Sequence, residues 1–140
     1  MKVFFNASVI LAGVRSPSGA SGELLKRVKA GEIKGVISEL IVNEVARHAD
    51  KAGFGRSEME RKIEEIFILI SEAPEAEAVK KYQSKVLDPD DSHVLASAMR
   101  EKCQILVTLD KKHLLVLARK MKDIQIFSPG QYLMTLRQLR

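Results

Sequence analysis

Four short apolar segments, separated by stretches with helical periodicity, restrict this chain to a small number of folds. They lie at residues 2–6, 33–37, 105–107 and 124–127. Short apolar runs of this kind are typical of buried strands. Strands that alternate with helices favour a parallel sheet with helices on both faces, joined by right-handed crossovers. We therefore predict a single α/β domain over residues 1–140, with a central sheet of four to five parallel strands.

The helical segments are marked by apolar stripes and by capping residues. Ser57 is followed by Glu60, and Ser128 by Gln131, and each pair has the spacing of a capping box. Ser38 is a suitable N-cap for the helix after the second strand. We therefore predict one helix that begins at Ser38. Five further helices are predicted near residues 20–30, 58–71, 75–84, 91–101 and 129–138.

Length and composition exclude several classes of protein. The 140 residues can bury one core, and no apolar run reaches the roughly 20 residues that cross a bilayer. The amino end lacks the pattern of a signal peptide. A single cysteine, Cys103, excludes an internal disulfide and a cysteine-ligated zinc site. We therefore expect a cytoplasmic protein without a membrane partner.

The charge of the chain favours an anionic partner. Lys and Arg number 23 against 18 Asp and Glu, which gives a net charge of +5 and a pI near 9.4. Basic proteins attract nucleic acid because they neutralise its phosphates. The basic residues are scattered and form no long basic tail, so composition alone leaves the partner open.

Polar side chains collect where strands end and helices begin. Asn6 ends the first strand, and Thr108 and Asp110 follow the third. Asp91 starts a helix, and Glu44 lies on the helix after the second strand. Ligands of open α/β sheets bind at the carboxyl ends of the strands. Clustered carboxylates require a cation, and oxygen ligands favour Mg²⁺ or Mn²⁺ over zinc. The pattern indicates metal-assisted hydrolysis of a phosphodiester.

Taken singly, each of these acids has an ordinary structural explanation. An aspartate such as Asp91 at a helix start is commonly a cap, and Asp110 is suited to a turn or a cap. Glu44 alone would be explained as a solvated residue of a helix. Asp88 and Asp90 flank a proline and are predicted to be turn residues.

The histidines and aromatic residues add no further site to this prediction. His48, His93 and His113 show no metal-ligand spacing, so each is predicted to be a surface or a satisfied histidine without a catalytic role. The two tyrosines and five phenylalanines are explained by packing. No aromatic platform for stacking bases is visible.

Six segments follow one another in a distinctive order along nearly the whole chain. They are VFFNASVI (3–10), SPSGAS (16–21), SELIVNEV (38–45), DPDDSHVLASA (88–98), LVTLD (106–110) and FSP (127–129). Their order resembles the PIN-domain family. Proteins of that family have a parallel sheet between helices, many are Mg²⁺- or Mn²⁺-dependent ribonucleases, and many prokaryotic members are toxins held by an antitoxin. The resemblance therefore implies RNA as substrate, Mg²⁺ or Mn²⁺ as cofactor, and an antitoxin protein and a second copy of the chain as partners.

The same resemblance assigns roles to individual residues. Glu44, Asp91 and Asp110 match the acidic positions of the family, and Thr108 matches a small hydroxyl residue beside the last of them. The first acid of the family is normally an aspartate at the end of the first strand, where this chain has Asn6. An amide oxygen can bind a metal but carries no charge. The resemblance therefore implies weaker metal binding and weaker activation of water at this site.

Two alternatives to a nuclease remain open. A PIN-like module that binds RNA or a protein partner without catalysis would also explain the amide at Asn6. A phosphoacceptor α/β domain gathers acids at strand ends too, but the early acidic pair that it needs is missing from this chain. We expect a metal-dependent endoribonuclease that uses Asn6, Glu44, Asp91, Thr108 and Asp110, with the binding module as the alternative.

Overall fold

A parallel sheet of five strands lies at the centre of the computed structural model, which describes residues 1–83 and 91–138. The strand order is β3-β2-β1-β4-β5, and all four neighbouring pairs are parallel. The predicted fold class is therefore confirmed. The strands are β1 (Lys2–Phe5), β2 (Lys34–Ser38), β3 (Leu69–Ser71), β4 (Ile105–Val107) and β5 (Gln125–Phe127).

Seven α-helices in the described ranges pack around this sheet. Short 3₁₀ helices at Ala49–Ala52 and Leu115–Leu117 add single turns. Within the same ranges, no helix combines the length and the apolar character needed to cross a membrane. The helices are α1 (Ala7–Arg15), α2 (Ala20–Lys29), α3 (Glu39–Arg47), α4 (Arg56–Ile66), α5 (Ala76–Gln83), α6 (Ser92–Arg100) and α7 (Pro129–Gln138).

The central strand β1 and its neighbour β4 are buried on both faces of the sheet. Successive residues of a strand point to opposite faces, yet Phe4 and Phe5 of β1 are both 0% exposed, as are Leu106 and Val107 of β4. The ring of Phe5 also packs edge-on against Phe67, with 5.4 Å between the ring centroids. Burial on both faces explains why these strands are continuous apolar runs in the sequence.

Two capping predictions are confirmed by the hydrogen bonds at helix starts. Ser38 Oγ accepts a hydrogen bond from the N–H of Ile41 at 3.3 Å, in the first turn of α3. Before α7, the N–H of Ser128 donates to Gln131 Oε1 at 2.9 Å, and Ser128 Oγ accepts from the N–H of Gln131 at 3.2 Å. This reciprocal pair is the capping box that the sequence predicts.

The first helix of the structure, α1, is absent from the prediction. It follows β1 directly, with Asn6 as its N-cap. The apolar run from Val9 to Leu11 continues the hydrophobicity of β1 and hides the helical period of this segment. In the structure, the chain turns from strand to helix at Asn6. This turn places the Asn6 side chain at the carboxyl edge of the sheet.

The helix predicted near 58–71 ends five residues earlier than expected, and its capping pair differs. In the structure α4 begins at residue 56 and ends at residue 66, and Glu58 Oε1 accepts a hydrogen bond from the N–H of Gly55 at 3.4 Å. The predicted box of Ser57 and Glu60 is therefore not the cap. The last predicted turn is the edge strand β3, because its backbone pairs with β2 along the sheet. That pairing is non-local, and the apolar residues here fit a helix and a strand equally well.

The loop between α1 and α2 passes very close to Gly22. A Cβ atom at Gly22 would lie 2.2 Å from the carbonyl oxygen of Pro17 and 2.5 Å from its carbonyl carbon. Both atoms belong to the backbone, so no side chain can move aside to make room. Only glycine fits this position without displacing the loop.

We predict that Gly22→Ala lowers the free energy of unfolding by about 1–3 kcal/mol, because the backbone of Pro17 must shift. Gly130→Ala in α7 is the matched control, since no atom lies within 4 Å of its added Cβ. The control should be neutral or stabilising by up to about 1 kcal/mol, as expected for Gly to Ala in a helix. Urea unfolding measures both variants, and an unchanged midpoint for Gly22→Ala would contradict the close approach.

Candidate functional site

Asn6 and Thr108 join the neighbouring strands β1 and β4 at the carboxyl edge of the sheet. The N–H of Asn6 donates to the carbonyl of Val107 at 3.0 Å, and Asn6 Nδ2 donates to Thr108 Oγ1 at 2.8 Å. Asn6 Oδ1 accepts from the N–H of Ala7 at 2.9 Å, which fixes the orientation of the amide because only its oxygen can accept. Asn6 is 7% exposed and Thr108 is fully buried.

The Thr108 hydroxyl also positions the loop that carries Asp110. Thr108 Oγ1 accepts a second hydrogen bond, from the N–H of Asp110 at 3.1 Å. The N–H of Leu109 donates to Ser8 Oγ at 3.2 Å, which ties the same loop to α1. The carbonyl of Asp110 accepts from the N–H of Leu115 at 2.8 Å. Asp110 is therefore held next to the end of β1 by bonds on both sides.

Asp91, Asp110 and His113 come together at this edge of the sheet. One potential ligand atom from each of the three side chains lies within 4.8 Å of the other two. His113 Nδ1 is 3.2 Å from Asp110 Oδ2 and 3.6 Å from Asp91 Oδ2. The side chains of Asp91, Asp110 and His113 are 17%, 24% and 34% exposed, so the group is half-buried and open to solvent. Two carboxylates and an imidazole form a donor set that suits a divalent cation.

Asp91 stands at the N-cap position of α6, but its side chain does not cap the helix. Its backbone is helical, with φ −83° and ψ −13°, and its carboxylate makes no capping hydrogen bond to the first turn of α6. The carboxylate lies next to His113 instead. The neighbouring acids Asp88 and Asp90, which the sequence predicts to be turn residues, lie outside the described residues.

Glu44 lies outside the group formed by Asp91, Asp110 and His113. It is half-buried on α3, and its carboxylate is not among the described ligand atoms that lie within 4.8 Å of one another. Because α3 begins at the carboxyl end of β2, Glu44 extends from the same edge of the sheet. The predicted meeting of all the acids at one point is therefore seen for Asp91 and Asp110 but not for Glu44.

His113 is the residue of this group to which the sequence assigns no role. Its backbone N–H donates to Asp110 Oδ1 at 2.9 Å. The turn that follows Asp110 is tight enough to bring side chains three residues apart to one side, as in the turn of a helix. The spacing of three residues between Asp110 and His113 is the sequence feature that could have predicted this pair. It gives no such indication on its own, because the segment does not have the apolar pattern of a helix.

A cleft of about 540 Å³ opens beside the loop that carries Asp110. It is lined by Arg15, by Leu109 and by the first residues of α2 and α7. The N-termini of helices carry partial positive charge, and the Arg15 side chain is exposed. This surface is therefore suited to an anion.

The thiol of Cys103 takes no part in this arrangement. It is a free cysteine that is 3% exposed. Burial raises the pKa of Cys103 from 9.0 to about 11, against a smaller lowering by Lys2. A thiol with this pKa is protonated at neutral pH, whereas the thiolate is the nucleophile. Chemistry at this edge of the sheet must come from the oxygen and nitrogen groups.

Comparisons with known proteins agree on the fold. A family model described as a PIN domain matches residues 2–112. This chain is also similar to a chain of a solved structure, with a TM-score of 0.62. That structure is the crystal structure of VapBC2 from Rickettsia felis, bound to a DNA fragment from the VapBC2 promoter. The two share 12% sequence identity over 90% of this chain and 97% of that chain. No curated protein matches the sequence.

We predict that Thr108→Val lowers the free energy of unfolding by about 2–3 kcal/mol, because the Asn6 amide and the Asp110 N–H both lose a buried acceptor. Thr108→Ser keeps the hydroxyl and should lose less. Thr135→Val is the matched control, since it removes one exposed bond to the carbonyl of Gln131 at 3.0 Å. Urea unfolding compares the three variants. Equal losses in Thr108→Val and Thr135→Val would show that the buried hydroxyl does not hold the site together.

Proposed function

We propose that this chain, which belongs to the PIN domain family, is a metal-dependent endoribonuclease that hydrolyses RNA phosphodiesters. The observation that carries the proposal is the meeting of Asp91 and Asp110 at the carboxyl edge of the sheet, within 4.8 Å of His113. This edge is where open α/β folds bind their ligands. Two carboxylates at short range repel each other, so their placement favours a cation between them.

The donor atoms at this edge suit Mg²⁺ or Mn²⁺. The carboxylates of Asp91 and Asp110 supply the hard oxygen ligands that both ions accept. The amide oxygen of Asn6 is a further neutral donor from the end of β1. A divalent cation held here would lower the pKa of a water molecule and stabilise the charge that builds on a phosphodiester during in-line attack.

Individual residues of the chain have separate roles in the proposed reaction. Asp91 and Asp110 would hold the cation, and Glu44, on the helix that begins at the carboxyl end of β2, would orient the attacking water and accept its proton. Thr108 is a positioning residue, because its hydroxyl accepts from the Asp110 N–H at 3.1 Å and from Asn6 Nδ2 at 2.8 Å. These contacts set the distance between the end of β1 and the loop after β4.

Asn6 is where this chain departs from the aspartate expected of the family. Its amide N–H donates to Thr108 Oγ1. An aspartate at this position would instead accept from the Thr108 hydroxyl, which can rotate to donate. A carboxylate could also accept the Ala7 N–H that Asn6 Oδ1 accepts now. Asn6→Asp therefore adds a negative charge while keeping both contacts, and it should strengthen cation binding.

The charge of the surface near the carboxylates supports a nucleic-acid substrate. The cleft beside Asp110 carries the exposed Arg15 and the positive ends of α2 and α7. The net charge of the whole chain, +5, is also positive. A phosphate backbone in this cleft would contact Leu109, which directly precedes Asp110 in the chain.

The resemblance to prokaryotic PIN-domain toxins extends the proposal to partners. It supports an antitoxin protein and a second copy of this chain as binding partners, and the cytoplasm as the site of action. The alternative function is a PIN-like module that binds RNA or protein without cutting. The observation that favours this alternative is the neutral side chain of Asn6, which lowers the negative charge available to a cation.

We predict that Asn6→Asp increases the affinity for Mn²⁺ by about tenfold or more, because an added charge close to a cation contributes more than about 1.4 kcal/mol at low effective dielectric. The same change should raise RNA cleavage in Mn²⁺ or Mg²⁺. Asp110→Asn in the Asn6→Asp background should abolish both, whereas Asp123→Asn at an exposed position is the matched control. Titration calorimetry and an RNA cleavage assay, with and without chelator, measure the effects.

The outcomes separate the two candidate functions. Cleavage that requires a metal and disappears in Asp91→Asn and Asp110→Asn supports the nuclease. Salt-sensitive RNA binding without turnover, unchanged by either substitution, supports the binding module. If neither the chain as it stands nor Asn6→Asp binds a divalent metal or cuts RNA, the nuclease proposal fails.

A further inference from the structure

We infer that His113 is a nitrogen ligand of the cation at this site and that it biases the site towards Mn²⁺ over Mg²⁺. The inference rests on the proposed metal-dependent function and deepens it by naming the preferred ion. The sequence supplies two other histidines, His48 and His93, which serve as internal controls.

The distances around His113 match those between neighbouring ligands of one cation. In an octahedral site with bonds of about 2.1 Å, adjacent ligand atoms lie about 3.0 Å apart and opposite ones about 4.2 Å. His113 Nδ1 is 3.2 Å from Asp110 Oδ2 and 3.6 Å from Asp91 Oδ2. One potential ligand atom from each of the three side chains lies within 4.8 Å of those of the other two. A small closure is therefore enough to place the three atoms around one ion.

The contacts of His113 keep its imidazole at this position when the cation arrives. Asp110 Oδ1 accepts from the backbone N–H of His113 at 2.9 Å, and the Asp110 carbonyl accepts from the N–H of Leu115 at 2.8 Å. These bonds hold the turn from Asp110 to His113 without using the imidazole. The His113 side chain therefore leaves the backbone beside Asp110 without depending on the contact between its ring and Asp110 Oδ2.

A cation and an imidazole N–H compete for the same carboxylate oxygens. His113 Nδ1 is within hydrogen-bonding distance of Asp110 Oδ2. Once a cation lies between Asp91 and Asp110, a proton on Nδ1 would point at a positive charge. The neutral tautomer that carries its proton on Nε2 would instead offer the Nδ1 lone pair to the cation, which is the usual form of a metal-bound histidine.

A nitrogen ligand changes which ion the site prefers. Mg²⁺ keeps an oxygen environment and gives up its waters reluctantly, whereas imidazole binds well to transition metals. Affinity for a given nitrogen and oxygen site generally rises from Mn²⁺ along the first-row series. Of the two ions expected here, Mn²⁺ gains from His113, and Mg²⁺ gains little.

Pulsed electron paramagnetic resonance of the Mn²⁺-loaded protein tests this ligand directly. We expect a ¹⁴N modulation from a directly bound imidazole, both in the chain as it stands and in Asn6→Asp. The signal should persist in His48→Gln and in His93→Gln and disappear in His113→Gln. Persistence in the first two variants assigns the nitrogen to His113 by elimination, even if His113→Gln folds poorly.

Titration calorimetry tests whether His113 makes the site prefer Mn²⁺ over Mg²⁺. We expect His113→Gln to lower the affinity for Mn²⁺ about 10- to 100-fold and the affinity for Mg²⁺ much less. His113→Asp returns an oxygen ligand and should shift the preference towards Mg²⁺. Equal losses for the two ions in His113→Gln would overturn the bias.

The outcomes distinguish this inference from the proposed function. Mn²⁺ that binds without a nitrogen signal, or with a signal that survives in His113→Gln, overturns the role of His113 and leaves the metal-dependent function standing. If Mn²⁺ binds to neither the chain as it stands nor Asn6→Asp, both proposals fall.

Discussion

The hydrogen bond between Asn6 and Thr108 is the contact on which the site at the carboxyl edge depends. It joins the ends of β1 and β4, two neighbouring strands from distant parts of the sequence. Asn6 starts α1 on one side, and the Thr108 hydroxyl holds the N–H of Asp110 on the other. Both residues are buried, so neither can turn to solvent for a replacement partner. The sheet therefore fixes the position of Asp110 through Thr108.

The electrostatics of this edge combine a neutral buried amide with half-buried acids. An aspartate at Asn6 would bury a charge near Asp91 and Asp110, which is costly unless a cation compensates it. The amide avoids that cost and keeps the same hydrogen-bonding geometry. His113 Nδ1 lies within hydrogen-bonding distance of Asp110 Oδ2 and 3.6 Å from Asp91 Oδ2. The amide of Asn6 therefore lowers the repulsion at this edge, and it also lowers the negative charge available to hold a cation.

The sequence predicts the parts of the fold that depend on burial. The apolar runs of β1 and β4 are buried on both faces and were identified as strands, and the box of Ser128 and Gln131 marks the start of α7. The strand β3 was missed because its pairing with β2 depends on residues far away in the chain. Likewise, Glu44 was expected among the clustered acids, but the rotation and packing of α3 decide where its side chain lies. His113 was missed because a non-helical turn brings it to Asp110.

The proposed cation site is tested most directly by anomalous diffraction from crystals of the chain, and of Asn6→Asp, soaked in Mn²⁺. We expect an anomalous peak between the carboxylates of Asp91 and Asp110, at metal–oxygen distances of about 2.0–2.4 Å. The Asn6→Asp crystals should show the higher occupancy. Crystals that take up Mn²⁺ elsewhere, with no peak between these carboxylates in either form, would contradict the claim that the carboxyl edge of the sheet is a cation site.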